Sequence, residues 1–486
     1  MKKPKLLRAP AALLRYFRAA PIAISAIVFS LLAPTPLIDK IHKEVFGAEK
    51  GRPPHPLKSV YLANLIMRAC NIRSENTLCD KISNSPSSGK RLGFRKQKLD
   101  RNKSPHNKVF TNFRERVGAD NIVLIFRELV KIAQKMGLYD GTYVVLDSTV
   151  IDLCINCKCK HLKSCPYIQQ NMKKFPKDCL MHSYENAAPG HKGGPDGDYR
   201  YVGYKKHDAI DLLSGLRIAT IFTAGNVSDN IIGLELLKVV KQFGFRPKYV
   251  LGDSGYDDSK IYKFIVFDLK SKPVIKWNPR NTVAMSFTVK TENGKIKTSP
   301  TGTPFCNANH KMKFVHADDE KAVWTCPTEQ IEQSHMEDGK CLFNPDHDCI
   351  VYTCPGDEPR RFSLPPRETD EWKSLYKLRK EGEQIFSQYK ENLNLEVINY
   401  RTFEDLTIYS FMTDITILTV AIMAEKLNIP NYTRNTKEIA FYVMNVLYGD
   451  EYAEQRAAIV LEVFEILTMI GIVDKDEIIA VLAEMK

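Results

Sequence analysis

The sequence predicts an α/β fold: a mixed sheet with flanking helices, a helical N-terminal domain, and a small β-rich insertion before the last helix of the core. Three observations carry this reading. Two apolar β-type runs, GTYVVLDSTV at 141–150 and PKYVLGDSGYDD at 247–258, end on Asp147 and Asp253. Strand and helix patterns alternate from 138 to 278. EWKSLYKLRKEGEQIFSQYKENLNLE at 371–396 reads as one charged amphipathic helix.

With 486 residues the chain is long enough for two or three domains with a sizeable core. Its 44% hydrophobic and 26% charged residues are ordinary for a globular protein. The net charge of +13 and pI near 9.0 point to a polyanionic partner, nucleic acid or an anionic membrane surface. Within 86–104, Lys90, Arg91, Arg95, Lys96, Lys98, Arg101 and Lys103 face only Asp100. That stretch reads either as a solvated loop or as a phosphate contact acting through counterion release.

Residues 1–135 read as mostly helical. AAPIAISAIVFSLLA at 19–33 follows a basic start and is too short for a comfortable membrane span, which takes about 20 apolar residues. It is expected to be a buried helix of the N-terminal domain, with a targeting or membrane segment as the alternative. A Pro-rich turn then leads into helices through Leu57–Ala69, around Leu78 and Ile82, over 105–118, and from Asn121 to Met136.

The core follows in two parts. Its first, 138–278, holds the Asp147 strand, a Cys-rich insertion at about 151–199, and a hairpin of 201–212 and 216–226 around Ser214-Gly215. A helix over 229–244, the Asp253 strand, a helix near 259–269 and the strand KPVIKW at 272–277 complete it. Strand, strand, strand, helix, strand, helix, strand and a later carboxylate-bearing helix is the order of a ribonuclease H-like core. Residues 279–366 are too long for a plain loop and show short alternating runs, which predicts the β-rich insertion. Residues 367–430 form the second part of the core, and 431–486 are C-terminal helices.

On the 371–396 helix, Tyr376, Arg379, Glu383 and Lys390 fall within an arc of about 60°. Leu375, Leu378, Gly382, Ile385, Phe386, Tyr389 and Leu393 form the neighbouring packing stripe, where Gly382 permits close approach. A solvated helix with i,i+4 ion pairs is the plain reading. A carboxylate beside a phenol, a guanidinium and an ammonium also suits a metal-and-phosphate site. The chain carries twelve cysteines. Cys154, Cys157, Cys159 and Cys165 form a C-x2-C-x-C-x5-C run compatible with structural zinc or with unligated thiols, as does a second group from Cys306 to Cys354.

Asp147 after an apolar strand, Asp253-Ser-Gly-Tyr256, and Tyr376-x2-Arg379-x3-Glu383-x6-Lys390 together resemble bacterial insertion-sequence DDE transposases carrying the Y-R-E-K helix. The resemblance covers most of the chain. It implies DNA transposition: binding of terminal inverted repeats, cleavage, and joining of the 3′-OH to target DNA. It implies two Mg²⁺ (or Mn²⁺) ions held by Asp147, Asp253 and Glu383, because carboxylates are the hard ligands such ions take. Tyr376, Arg379 and Lys390 would organise DNA near the scissile bond, and the helical domain with Arg91, Arg95 and Lys96 would bind transposon ends. Lys205 and His207 of GYKKH, with Asn226 and Asp229, match family patterns as supporting or DNA-facing residues. A homodimer on DNA is expected, as are a cytoplasmic, nucleoid-associated location and no membrane role. The alternative is a catalytically silent transposase-derived DNA-binding protein.

Overall fold

The computed structural model describes residues 35–47, 54–84, 92–94, 105–153, 179–192, 199–279, 286–291, 294–327, 336–337, 340–341, 349–382 and 400–426. The apolar run at 19–33 and the C-terminal helices expected at 431–486 lie outside them. The chain divides into two compact units, one of Met1–Tyr139, Ser183–Glu185 and Tyr389–Lys486, the other of Asp140–His182 and Asn186–Gln388.

The first unit is helical. Its described helices are α1 (Thr35–Phe46), α2 (Leu57–Ala69), α3 (Glu75–Ser83) and α4 (Lys108–Lys135). Helix α4 is broken at Gly118, whose φ of 72° lies in the left-handed region that glycine adopts without strain. The amide freed at Ala119 donates to Glu404 Oε1 at 3.2 Å. Arg114 binds Glu75 and donates to Asp405 Oδ1 at 2.6 Å, with its guanidinium 4.5 Å from the Tyr400 ring centroid.

Glu404 and Asp405 belong to the long helix Phe403–Lys426, labelled α8 below. By length and composition it could cross a membrane, yet 89% of its apolar window is buried inside the protein. Thr407, Thr413, Thr416 and Thr419 return their hydroxyls to carbonyls four residues back, so the helix carries these polar side chains into the core with their donors satisfied. It packs on α4 and α2, with Phe411 edge-on to Phe126 at 5.4 Å. The sequence order groups this helix with the core through residue 430. Its packing groups it with the N-terminal helices instead, because an all-round apolar helix fills whichever bundle surrounds it.

The second unit is built on a six-stranded mixed sheet. Its strands are β1 (Tyr143–Asp152), β2 (Ala188–Lys192), β3 (Tyr199–Asp211), β4 (Arg217–Ala224), β5 (Tyr249–Gly252) and β6 (Lys272–Ile275). The order is β2-β3-β1-β5-β6, with β4 also on β3; β1, β3 and β4 are antiparallel, and β5 and β6 run parallel to β1. Helix α5 (Asp229–Gln242) follows β4 and ends before Gly244, whose φ of 79° closes the helix. The short α6 (Ser259–Lys263) joins β5 to β6. This is the mixed α/β, ribonuclease H-like arrangement that the element order predicts.

Two expectations are corrected here. Strand β1 does not stop at Asp147 but runs on to Asp152, because the thirteen-residue β3 continues as its antiparallel partner as far as Gly203. The single helix expected over 371–396 is interrupted within its described part. Helix α7 (Asp370–Lys377) gives way to a turn at Leu378 and resumes at 379–382.

The insertion is β-rich. Strands β7 (Phe287–Thr291) and β8 (Gly294–Thr298) form a hairpin. β9 (Lys313–Ala317), β10 (Ala322–Thr325) and β13 (Ile350–Thr353) form a sheet in the order β13-β10-β9. β11 (Met336–Glu337) and β12 (Lys340–Cys341) are a minimal pair. Its small core gathers Cys306, Met312, Ala322, Trp324 and Leu364, and Trp324 Nε1 donates to Thr353 Oγ1 at 2.9 Å. An ion pair ties the insertion to the sheet unit: Arg360 donates twice to the fully buried Asp257, at 3.0 and 2.8 Å. Arg367 reinforces it by donating to the Tyr262 hydroxyl at 2.9 Å.

Candidate active site

The centre of the site follows from strand register. The parallel ladder of β1 and β5 runs from Tyr143↔Tyr249 to Leu146↔Gly252. The next residues are Asp147, still within β1, and Asp253, just past the end of β5, so the two acids occupy neighbouring positions where the β1–β5 ladder ends. Each is fixed by a backbone amide: Ser148 N donates to Asp147 Oδ1 at 2.9 Å and Gly255 N to Asp253 Oδ1 at 2.7 Å. The second bond makes Asp253 the cap of the one-turn helix Ser254–Tyr256.

That turn drives Tyr256 into the core, where it is fully buried. Gly233 of α5 makes room for it, since a Cβ there would stand 2.7 Å from Tyr256 Cδ1. Among the described residues the Tyr256 hydroxyl has no hydrogen-bond partner. Burial raises the phenol well above its usual pKa, and Asp229, Asp147, Asp253 and Asp208 raise it further. Four acids thus bear on one neutral hydroxyl, Asp147 and Asp253 among them.

Asp229 at the start of α5 is held by Lys205, whose Nζ lies 3.1 Å from Oδ1 and donates also to Val227 O at 3.2 Å. His207 Nδ1 lies 3.4 Å from the same Oδ1, and Nε2 lies 2.9 Å from Thr223 Oγ1. His207 is fully buried and the Lys205 side chain is 12% exposed. Lys205 therefore braces Asp229, and the neutral His207 is packed beside it; the burial of both side chains corrects the DNA-facing expectation.

Burial lowers the His207 pKa to about 4, and Lys205 lowers it too, against the opposing pull of Asp229 and Asp208. The imidazole is neutral at physiological pH. As pH falls, the unfolded chain takes up this proton near 6.5 while the folded chain resists until about 4. Stability is therefore expected to decline on acidification from pH 6.5 to 4, by about 3 kcal/mol from this group. Denaturant titrations across that range check the slope, which His207→Gln should remove.

On the Asp147 face of the sheet, Asp208 stands directly across in register. It accepts from Lys206 Nζ at 2.7 and 2.8 Å, Arg217 Nε at 2.8 Å and Thr220 Oγ1 at 2.7 Å. Lys206 and Asp208 are fully buried and Arg217 is 3% exposed. Sequence reasoning missed this trio; its one signal was a pair of charges in the strand YKKHDAID, which ordinarily marks a wet face.

Val145, two residues before Asp147 and on the same face, packs against Gly382, where a Cβ would come within 3.2 Å of Val145 Cγ1. The close approach expected at Gly382 is thus made to β1. Tyr376 stacks on Trp372 at 5.0 Å and 7°, and the Arg379 guanidinium lies 5.8 Å from the Tyr376 ring. Glu383, Lys390, Arg91, Arg95, Lys96, Cys154, Cys157, Cys159 and Cys165 lie outside the described residues. Among the described residues no three His, Cys, Asp or Glu side chains converge as a metal set. What they supply is a pair of hard carboxylates side by side, which fits two members of a divalent-cation site but does not complete it.

A model of the family described as Transposase DDE domain matches residues 139–419, more than half of the chain. No curated protein matches it. Among solved structures, the chain is similar to a cryo-EM structure of the piggyBac transposase synaptic complex with hairpin DNA. That likeness has 11% identity, covers 90% of this chain and 80% of that one, and gives a TM-score of 0.36.

Proposed function

We propose, since the chain belongs to the transposase DDE-domain family, that it is a DNA transposase that cleaves at transposon ends and joins the freed 3′-OH to target DNA. The observation that carries this reading is the register that brings Asp147 beside Asp253, with Gly382 on the same face of β1. Glu383, the next residue, is proposed as the third acid, and Asp147, Asp253 and Glu383 as the holders of Mg²⁺ or Mn²⁺. When bound, two such ions supply a deprotonated nucleophile and offset charge on the entering and leaving oxygens.

The chain's own residues do the rest. Asp253 is pre-set by its turn, and Tyr256 backs the site as a neutral phenol. Lys205 holds Asp229 in place, with the neutral His207 packed beside it. Arg379, a fork of donors, and Lys390, a point charge, suit phosphates beside the scissile bond, with Tyr376 alongside. Pairing of two transposon ends calls for a homodimer on DNA, in the cytoplasm and at the nucleoid.

The test is metal-dependent cleavage and joining of DNA flanking the gene. The wild type is expected to produce joined products with Mg²⁺ or Mn²⁺, and Glu383→Gln none. Metal-independent binding without cleavage in the wild type would establish the silent DNA-binding protein instead.

A further inference from the structure

We propose that the β7–β8 hairpin is a phosphate-binding ribbon for duplex DNA, an inference that rests on the DNA-transposase reading above. Strand alternation sorts its side chains. Val289 and Thr298 are buried, with Phe287 and Ile296 half-buried, whereas Thr288, Lys290, Lys295 and Lys297 are exposed. The solvent face of the ribbon is therefore three lysines and a threonine.

Lys290 and Lys295 stand directly opposite each other across the ladder, as do Thr288 and Lys297. Like charges directly opposite cost a sheet stability, and a carboxylate at either position would remove that cost. Among the described residues no ion pair or side-chain hydrogen bond engages Lys290 or Lys295. Lys297 is steadied by donating to Asn309 Oδ1 at 2.6 Å. A concentration of cations that costs the fold something is explained by a polyanion that repays it on binding. A two-stranded ribbon is one of the shapes the major groove admits, and lysines along its edges reach phosphates as point charges.

The ribbon is also anchored toward the proposed chemistry. The Arg361 guanidinium lies 3.6 Å from the Phe287 ring centroid. Its neighbour Arg360 holds Asp257, four residues beyond Asp253. DNA seated on the lysines would thus be held by the segment that is tied to the Asp253 turn.

The experiment measures binding of the full chain to duplex DNA of random sequence across a range of salt. For Lys290→Ala/Lys295→Ala the slope of log affinity against log salt is expected to be shallower by about 1.8, from roughly 0.9 per phosphate contact. Tm should stay the same or rise, because a repulsive pair has gone. Lys290→Arg/Lys295→Arg should keep the wild-type slope. An unchanged slope in the alanine variant overturns the ribbon and leaves the transposase reading standing. A lowered Tm with weaker binding assigns the lysines a structural role and also overturns it. A wild type without salt-dependent DNA binding overturns both readings.

Discussion

Asp147→Asn is expected to lower metal-dependent DNA cleavage by roughly a thousandfold or more, with the protein folded and still bound to DNA. The amide is the same shape as the carboxylate and keeps an oxygen to accept from Ser148 N, so β1 has no reason to shift. What disappears is the negative charge beside Asp253 that the proposal assigns to the divalent ions. Their charge stabilisation is worth several kcal/mol, and about 4 kcal/mol is already a thousandfold in rate. Affinity for DNA should hold or increase, because a negative charge near the phosphates has been removed. Single-turnover cleavage of end-bearing DNA, paired with a binding titration, measures both. Cleavage at the wild-type rate in Asp147→Asn would remove Asp147 from the chemistry and with it the assignment of this site.

The strand-end position of Asp253 was legible in the sequence because β5 is a short apolar run with all four residues buried, so its end marks where the chain meets solvent and ligand. The hairpin of β3 and β4 and helix α5 were legible for similar local reasons, Ser214-Gly215 at one turn and Gly244 at one helix end. The true length of β1 was not, because its last residues are paired by β3, whose matching stretch lies some fifty residues away in sequence. The turn at Leu378 was hidden because apolar spacing stays in phase on both sides of it. The place of α8 was hidden for a different reason: a helix apolar on every side does not announce its neighbours. The contacts Arg114–Asp405 and Arg68 over Tyr409 that settle it join residues about three hundred positions apart.

The buried trio was the least legible feature, and it yields the other large effect. Asp208→Ala is expected to destabilise the fold by about 3–5 kcal/mol, because it strands Lys206 and Arg217 as buried cations without their counter-charge. Burial by itself would raise the Asp208 pKa, but Lys206 and Arg217 outweigh it and hold the carboxyl below its ordinary value. A depressed folded pKa means that the stabilisation is complete above the unfolded value of about 3.9 and is lost as pH falls through the folded one. Acid loss between pH 6.5 and 4 therefore belongs to His207, and loss at still lower pH to Asp208. Denaturant midpoints across both windows separate them, since Asp208→Ala should lower stability at neutral pH and flatten the more acidic limb, whereas His207→Gln flattens the limb between pH 6.5 and 4. Replacing all three charged side chains by apolar ones of similar volume should recover most of the stability, because well-packed apolar groups commonly equal a buried ion pair. It should not recover cleavage if the trio also sets the potential at Asp147, which stands across the ladder from Asp208 on the same face. A triple variant both stable and fully active would reduce the trio to a structural feature of the sheet.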